Sequence, residues 1–447
     1  MASENPPTPP TTRQTSASPL PFVPPAVQSL AYTGLPILWL QDLVLKIIYF
    51  QGYITGFKIA EAAMLPFTGV MDQILESLKR DKLLEVRTSP MALGEGSYIY
   101  AITDAGTIRA REALERCQYA GPAPVPLAAY TQACQRQKRR RLAINEKIAH
   151  QVFSNLVLSE KAICHLGPAI NSGTSIFLYG PSGDGKTSVA RMIGNLMLSQ
   201  SIYIPYALYT DGQVIKLYDS FNHKLVPEED TLTGTGILRL GTRRDIRWVH
   251  IYRPFIEVGG ELTLAGLDLV FDDVLKYYEA PFQVKANGGV LLIDDFGRQQ
   301  VRPRDLLNRW IVPLESRIDF LNLHTGRKLE MPFDVMVIFS TNLPPKELAD
   351  EAFLRRLRHK VEIGDPQADE YRQIFQRVAA SKGVTYSEEG LAYLLQEWYI
   401  KHHRKLRASH ARDLCDHILD IAQYLSVEPA MTPELIDQAA ETYFVDL

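Results

Sequence analysis

The stretch that most constrains this 447-residue chain is Gly180–Thr187, read Gly-Pro-Ser-Gly-Asp-Gly-Lys-Thr, between the apolar run Ile176–Tyr179 and a helical pattern over Thr187–Leu198. A glycine, four variable positions and then Gly-Lys-Thr is the spacing of a phosphate-binding loop. Gly180, Gly183 and Gly185 permit backbone conformations that a Cβ forbids, so successive N–H groups can turn toward one anion. The helix that follows offers its positive end to the same anion. Lys186 supplies a point charge for the β- and γ-phosphates, and the Thr187 hydroxyl a ligand for Mg2+. The pattern assigns Gly180, Pro181, Ser182, Gly183, Asp184, Gly185, Lys186, Thr187 and Ser188 to binding ATP, and it demands a strand–loop–helix unit of an α/β fold.

Partners for that loop lie downstream. Gly288–Gly297, GGVLLIDDFG, is an apolar strand over Val290–Ile293 that ends in Asp294 and Asp295. At a strand tip beside the loop, Asp294 is placed to hold Mg2+ with Thr187, and Asp295 to polarise an attacking water. A second buried strand, Val335–Phe339, leads to Asn342, whose amide would orient that water. Arg355, Arg356 and Arg358 crowd together before another strand, and Arg412 opens a late helix.

Strand ends carrying Gly-Lys-Thr, Asp-Asp and Asn, then clustered arginines, then a late helical arginine, resemble the AAA+ ATPase superfamily from about Ile148 to the C-terminus. The resemblance implies a parallel sheet flanked by helices with a C-terminal helical lid. It implies that Asn342 is sensor 1, Arg412 sensor 2, and Arg355 with Arg356 or Arg358 the arginine fingers. Fingers act on a neighbour's nucleotide, which requires a homo-oligomeric ring, usually a hexamer. One departure is Asp295, where the superfamily usually has glutamate. Water positioning is sensitive to about an ångström, so a slow-hydrolysing nucleotide switch stays open.

Around this core the organisation reads as follows. Residues 1–34 are rich in Pro, Ser and Thr and are expected to form a disordered tail. Residues 35–118 read helix, helix, helix, strand, strand, helix, and YAITDAGTIRAREAL resembles the closing part of a winged helix. Residues 119–147 read as a linker holding the basic run Arg136, Lys138, Arg139, Arg140 and Arg141. The ATPase domain spans 148–365, and 366–447 gives four helical segments. From Lys186 to Asp294 is 108 positions, and the excess reads as a β-rich insertion near 207–285 with a hairpin at Asp211-Gly212. Arg243, Arg244 and Arg247 read as a basic patch on it. Tyr206–Tyr209 and Phe255–Gly259 are candidate aromatic pore loops, and a hairpin turning at Thr325-Gly326 precedes the Asn342 strand as a better-placed candidate.

Charge narrows the partners. The net charge is −3, and residues 35–117 hold nine Lys/Arg against ten Asp/Glu. Nucleic-acid contact is therefore weakly supported. The four cysteines lie far apart and suggest neither disulfides nor zinc. With no apolar stretch of membrane-spanning length, a cytoplasmic location without membrane insertion is expected. The leading functional expectation is an ATP-driven ring that remodels a protein client; the alternatives are a DNA-associated regulator or loader, and the slow switch.

Overall fold

The computed structural model describes residues 22–87, 94–138, 143–227, 244–348 and 354–444. Its centre is a sheet of five parallel strands: β1 (Ser175–Tyr179), β2 (Phe255–Val258), β3 (Val290–Ile293), β4 (Met336–Thr341) and β5 (His359–Glu362). The order across the sheet is β2-β3-β4-β1-β5. Every residue of β3 and β4 is buried, as near-continuous apolar runs require when helices cover both faces. Alternate residues serve opposite cores. Ile176, Leu178, Val290, Leu292 and Ile338 pack with helices Glu160–Ser172 and Lys186–Met197. Phe177, Leu291, Ile293, Val337 and Phe339 pack with Leu306, Leu307 and Trp310 of helix Pro303–Ser316. The mixed α/β class read from the sequence is thus the one observed.

The chain leaves β1 for the far edge at β2, works inward through β3 to β4, and then passes β1 to reach β5 on its other side. The carboxyl end of β1 therefore opens where the winding changes direction, the place such sheets bind ligands. Beyond β5, helices Ala368–Lys382, Glu388–Leu394 continued by Leu395–Ile400, Ala408–Leu425 and Pro433–Tyr443 close around their own core of Tyr371, Phe375, Leu414, Ile418 and Ile436. No helix among the described residues is long and apolar enough to cross a membrane.

The N-terminal unit holds helices Ile37–Gln51, Gly56–Ala62, Asp72–Arg80 and Asp104–Arg116 beside a small antiparallel sheet of Ile54–Thr55, Ile99–Ile102 and Leu84–Arg87. It is not loosely tethered. Its core extends into the insertion through Ala207 and Val214, and Trp39 meets Tyr209 edge-on at 5.5 Å.

Several expectations for the periphery are corrected. Residues 22–34 of the stretch read as disordered are packed: Phe22 meets Trp248 at 6.2 Å, and Val27 and Thr33 are buried. Residues 1–21 lie outside the described residues. The linker is also structural, since Val125–Pro126 forms the edge of a second sheet beside Ala207–Thr210 and Gln213–Lys216. Its basic run lies partly outside the described residues, at Arg139, Arg140 and Arg141.

The insertion's basic patch dissolves in the same way. Arg247 is 3% exposed; it pairs with Asp245 at 2.8 Å and donates to the carbonyls of Thr33 at 2.8 Å and Pro124 at 3.2 Å. Arg244 lies over the Tyr203 ring at 5.5 Å, and Arg243 is outside the described residues. Neither aromatic pore-loop candidate is a loop. Phe255–Val258 is the edge strand β2, in register with Val290–Ile293, and Tyr206 packs on Tyr218 while Ala207 and Leu208 are buried in the second sheet. The hairpin before Asn342 does form, with Ile318–Asn322 against Lys328–Pro332 and Gly326 at φ 81°. Its tip is tied to the insertion by Arg327 and Asp211 at 2.9 Å.

Candidate functional site: a phosphate loop under a helical lid

Gly180–Gly185 connects β1 to helix Lys186–Met197 at the carboxyl end of the sheet. At two positions of the loop a Cβ would collide with a neighbouring element. Gly180 has φ 147°, and a Cβ there would stand 1.9 Å from the carbonyl oxygen of Ile363. Gly183 has φ 90°, and its Cβ would stand 2.2 Å from Ser409 Oγ on the lid. The first contact seats the loop on the end of β5; the second seats the lid on the loop.

Lys186 opens the helix with its side chain folded back into the loop. Its Nζ donates to the carbonyls of Gly180 at 3.0 Å and Pro181 at 2.6 Å. Burial lowers its pKa, opposed by the carboxylates of Asp184, Asp294 and Asp295. Thr187 Oγ1 donates to Asp294 Oδ2 at 2.8 Å. The structure thus brings Lys186, Thr187, Asp294 and Asp295 together. Pro181 is half-buried, and Ser182 and Ser188 are exposed along the rim.

The acidic turn is held by its backbone. Asp294 N–H donates to the Val258 carbonyl at 2.8 Å, and Phe296 N–H to the Ser340 carbonyl at 2.7 Å. Asp295 is exposed with φ 47°, a conformation that aspartate tolerates better than most residues. Gln299, nearly buried, donates to the carbonyls of Asp294 at 3.0 Å and Asp295 at 3.3 Å, while its oxygen accepts from Gly297 N–H. Sequence reasoning passed over Gln299 because a single glutamine after an acidic pair carries no spacing signal.

Asn342 follows β4, whose Thr341 pairs with Tyr179 at the mouth of the loop. Its Oδ1 is buried without a hydrogen-bond partner. The orphaned acceptor after β4, the inward-folded lysine and two hard oxygens 2.8 Å apart fit a triphosphate with Mg2+: Thr187 and Asp294 would hold the metal.

The arginines divide. Arg355 and Arg358 are exposed, whereas Arg356 is paired with Glu315 of helix Pro303–Ser316. All three precede β5, whose first residue His359 is level with Ile176 near the start of β1. They therefore stand at the end of the sheet away from Gly180–Gly185, roughly 10 Å of strand distant at 3.3 Å per residue. Arg412 is exposed on the lid helix with its guanidinium on Asp413 at 3.0 Å. The lid arginine whose charge acts on Lys186 and Asp184 is Arg407, at the start of that helix, a residue the motif order did not single out.

Asp184 also differs from its reading as a phosphate-binding position: its side chain turns to the lid. Oδ1 accepts from Ala408 N–H at 3.1 Å, Oδ2 has no partner, and the residue is 6% exposed. Burial pushes its carboxyl up to about 6, with Asp365 adding to the shift.

A family profile described as a domain of unknown function, DUF8689, matches residues 367–442, the helical unit after β5. Among solved structures, NtrX from Brucella abortus in complex with ADP is similar at 14% identity and a TM-score of 0.37, covering 74% of this chain and 59% of that one. The RuvB Holliday junction branch migration motor of Thermotoga maritima is similar at 13% identity and a TM-score of 0.35, covering 65% and 71%. This chain thus spans about three fifths of the NtrX chain. No curated protein sequence matches it.

Proposed function

We propose that this chain is an AAA+ ATPase that binds ATP with Mg2+ at Gly180–Thr187, hydrolyses it, and works as a ring that remodels a protein partner. The observation that carries the reading is the meeting of Thr187 Oγ1 and Asp294 Oδ2 beside the inward-folded Lys186. Bound Mg2+ would offset phosphate charge between those two oxygens. Lys186 exchanges its two loop carbonyls for phosphate oxygens. Asp295, exposed at the strand tip, accepts the proton of the attacking water, and Asn342 orients that water with its free acceptor.

The position of the exposed Arg355 and Arg358 supports assembly. Each is too far from its own loop to meet the transferred phosphoryl group, so a neighbour's nucleotide is the reachable one. The N-terminal unit, read as a winged helix, supports a protein client over DNA: helix Asp72–Arg80 exposes Gln73 and Glu76 as well as Lys79 and Arg80.

Isothermal titration calorimetry of the full chain with ATP and Mg2+ tests the reading. Lys186→Ala removes two charge-assisted contacts and weakens ATP binding by roughly 100-fold; an unchanged Kd refutes the assigned role.

A further inference from the structure

The lid helix Ala408–Leu425 begins without help from its own N-cap: Arg407 makes no side-chain capping bond. The cap comes from the phosphate loop. Asp184 Oδ1 accepts the Ala408 N–H at 3.1 Å across 224 residues of chain, and its negative charge sits at the positive end of an 18-residue helix. One residue earlier the two elements touch so closely that only glycine fits, since a Cβ on Gly183 would lie 2.2 Å from Ser409 Oγ and 2.6 Å from its Cβ. A carboxylate 6% exposed with one oxygen unpartnered costs solvation free energy. The lid amide, with Lys186 and Arg407 nearby, is what offsets that cost.

Asp184 therefore occupies two structures at once. Its backbone belongs to the loop that wraps the phosphates; its side chain belongs to the lid. Any change in loop shape moves the acceptor on which the lid helix is seated. We propose that Asp184 is a positioning residue for the ATPase reaction: through the Ala408 amide it docks the lid on the phosphate loop and so sets where the lid arginines stand over the nucleotide. The catalytic consequence rests on the ATPase reading; the docking itself does not.

The test uses the full chain in a Cys117→Ser, Cys134→Ser background, with spin labels at the exposed Cys164 on the core and at Tyr424→Cys, 87% exposed on the lid. Distances are read without nucleotide. Asp184→Ala lowers the ratio of docked to undocked lid roughly fivefold, the usual weight of a lost N-cap, and broadens the distribution. Asp184→Asn keeps an acceptor of good capping type and recovers the wild-type distribution. Ser409→Leu, a wedge between lid and Gly183, broadens it without touching the carboxylate, and serves also if Asp184→Ala does not fold. In steady-state assays kcat falls with the docked fraction in Asp184→Ala, while KM for ATP moves less than about twofold. Unchanged distances in both Asp184→Ala and Ser409→Leu overturn the proposal, as does an Asp184→Asn protein as undocked as Asp184→Ala. Wild-type protein that docks its lid but ignores ATP would sink the ATPase reading and leave the docking intact.

Discussion

Thr187 and Asp294, 107 residues apart in the chain, meet through a 2.8 Å hydrogen bond. The meeting follows from sheet order: β1 and β3 are separated by β4 alone, so their carboxyl ends deliver a hydroxyl and a carboxylate to one side of one crevice. With Lys186 and Asn342 around them, this crevice is the place proposed above for phosphate and a hard cation.

Asp295 is the base in the proposed reaction. Asp295→Asn keeps size and removes the base, so ATP affinity stays within about threefold while phosphate release falls roughly 10²–10⁴-fold. Calorimetry and single-turnover phosphate release read the two quantities separately. An unaltered rate would place the base elsewhere.

Arg355 and Arg358 lie at the far end of the sheet from their own loop, which makes a mixing experiment decisive. Arg355→Ala or Arg358→Ala alone lowers ATPase activity, by about 10³-fold for a finger that meets the phosphoryl group. Lys186→Ala alone is inactive. Combined, the two proteins regain activity, because a Lys186→Ala subunit lends its intact arginine to a neighbour with an intact loop. Mixtures no more active than their parts would show that the arginines do not act between subunits.

Arg247 is a buried guanidinium whose partners come from three segments: Asp245, Thr33 and Pro124. Arg247→Met leaves the Asp245 carboxylate buried and unpaired, which costs about 3–5 kcal/mol. The urea midpoint should fall by that free energy divided by the m-value, and limited trypsin digestion should open the N-terminal unit first.

Acid should loosen the lid through His410. Burial, with Arg407 second, lowers its pKa to about 4 from 6.5, and Tyr399 OH lies 2.9 Å from its Nδ1. The unfolded chain therefore takes up this proton first, and stability is lost as pH falls from 6.5 toward 4. Asp184 works the other way: its carboxyl is raised to about 6, so folded protein gains the proton first and its burial penalty eases as pH falls through that value. Comparing the change in Tm between pH 7 and pH 5 in wild type and His410→Gln isolates the histidine. The variant should show the smaller acid loss.

The strands of the central sheet were legible where they end in short spacings. Gly180–Thr187, the acidic pair after Val290–Ile293 and Asn342 after β4 each follow an apolar run that reads as a buried strand, and each run is one. What escaped was decided by distant neighbours. Nothing local in Phe255–Val258 distinguishes an insertion strand from the edge of the central sheet; pairing with β3 decides it. Arg247 reads as solvated until Asp245 and two carbonyls close over it. Asp184 reads as one more loop residue until the fold brings Ala408, 224 residues further along the chain, against its oxygen.

The Arg247 clamp makes three distant segments interdependent. With one guanidinium fastened to Asp245 and to the carbonyls of Thr33 and Pro124, none of the three can part from the others without stranding a buried charge or a buried donor.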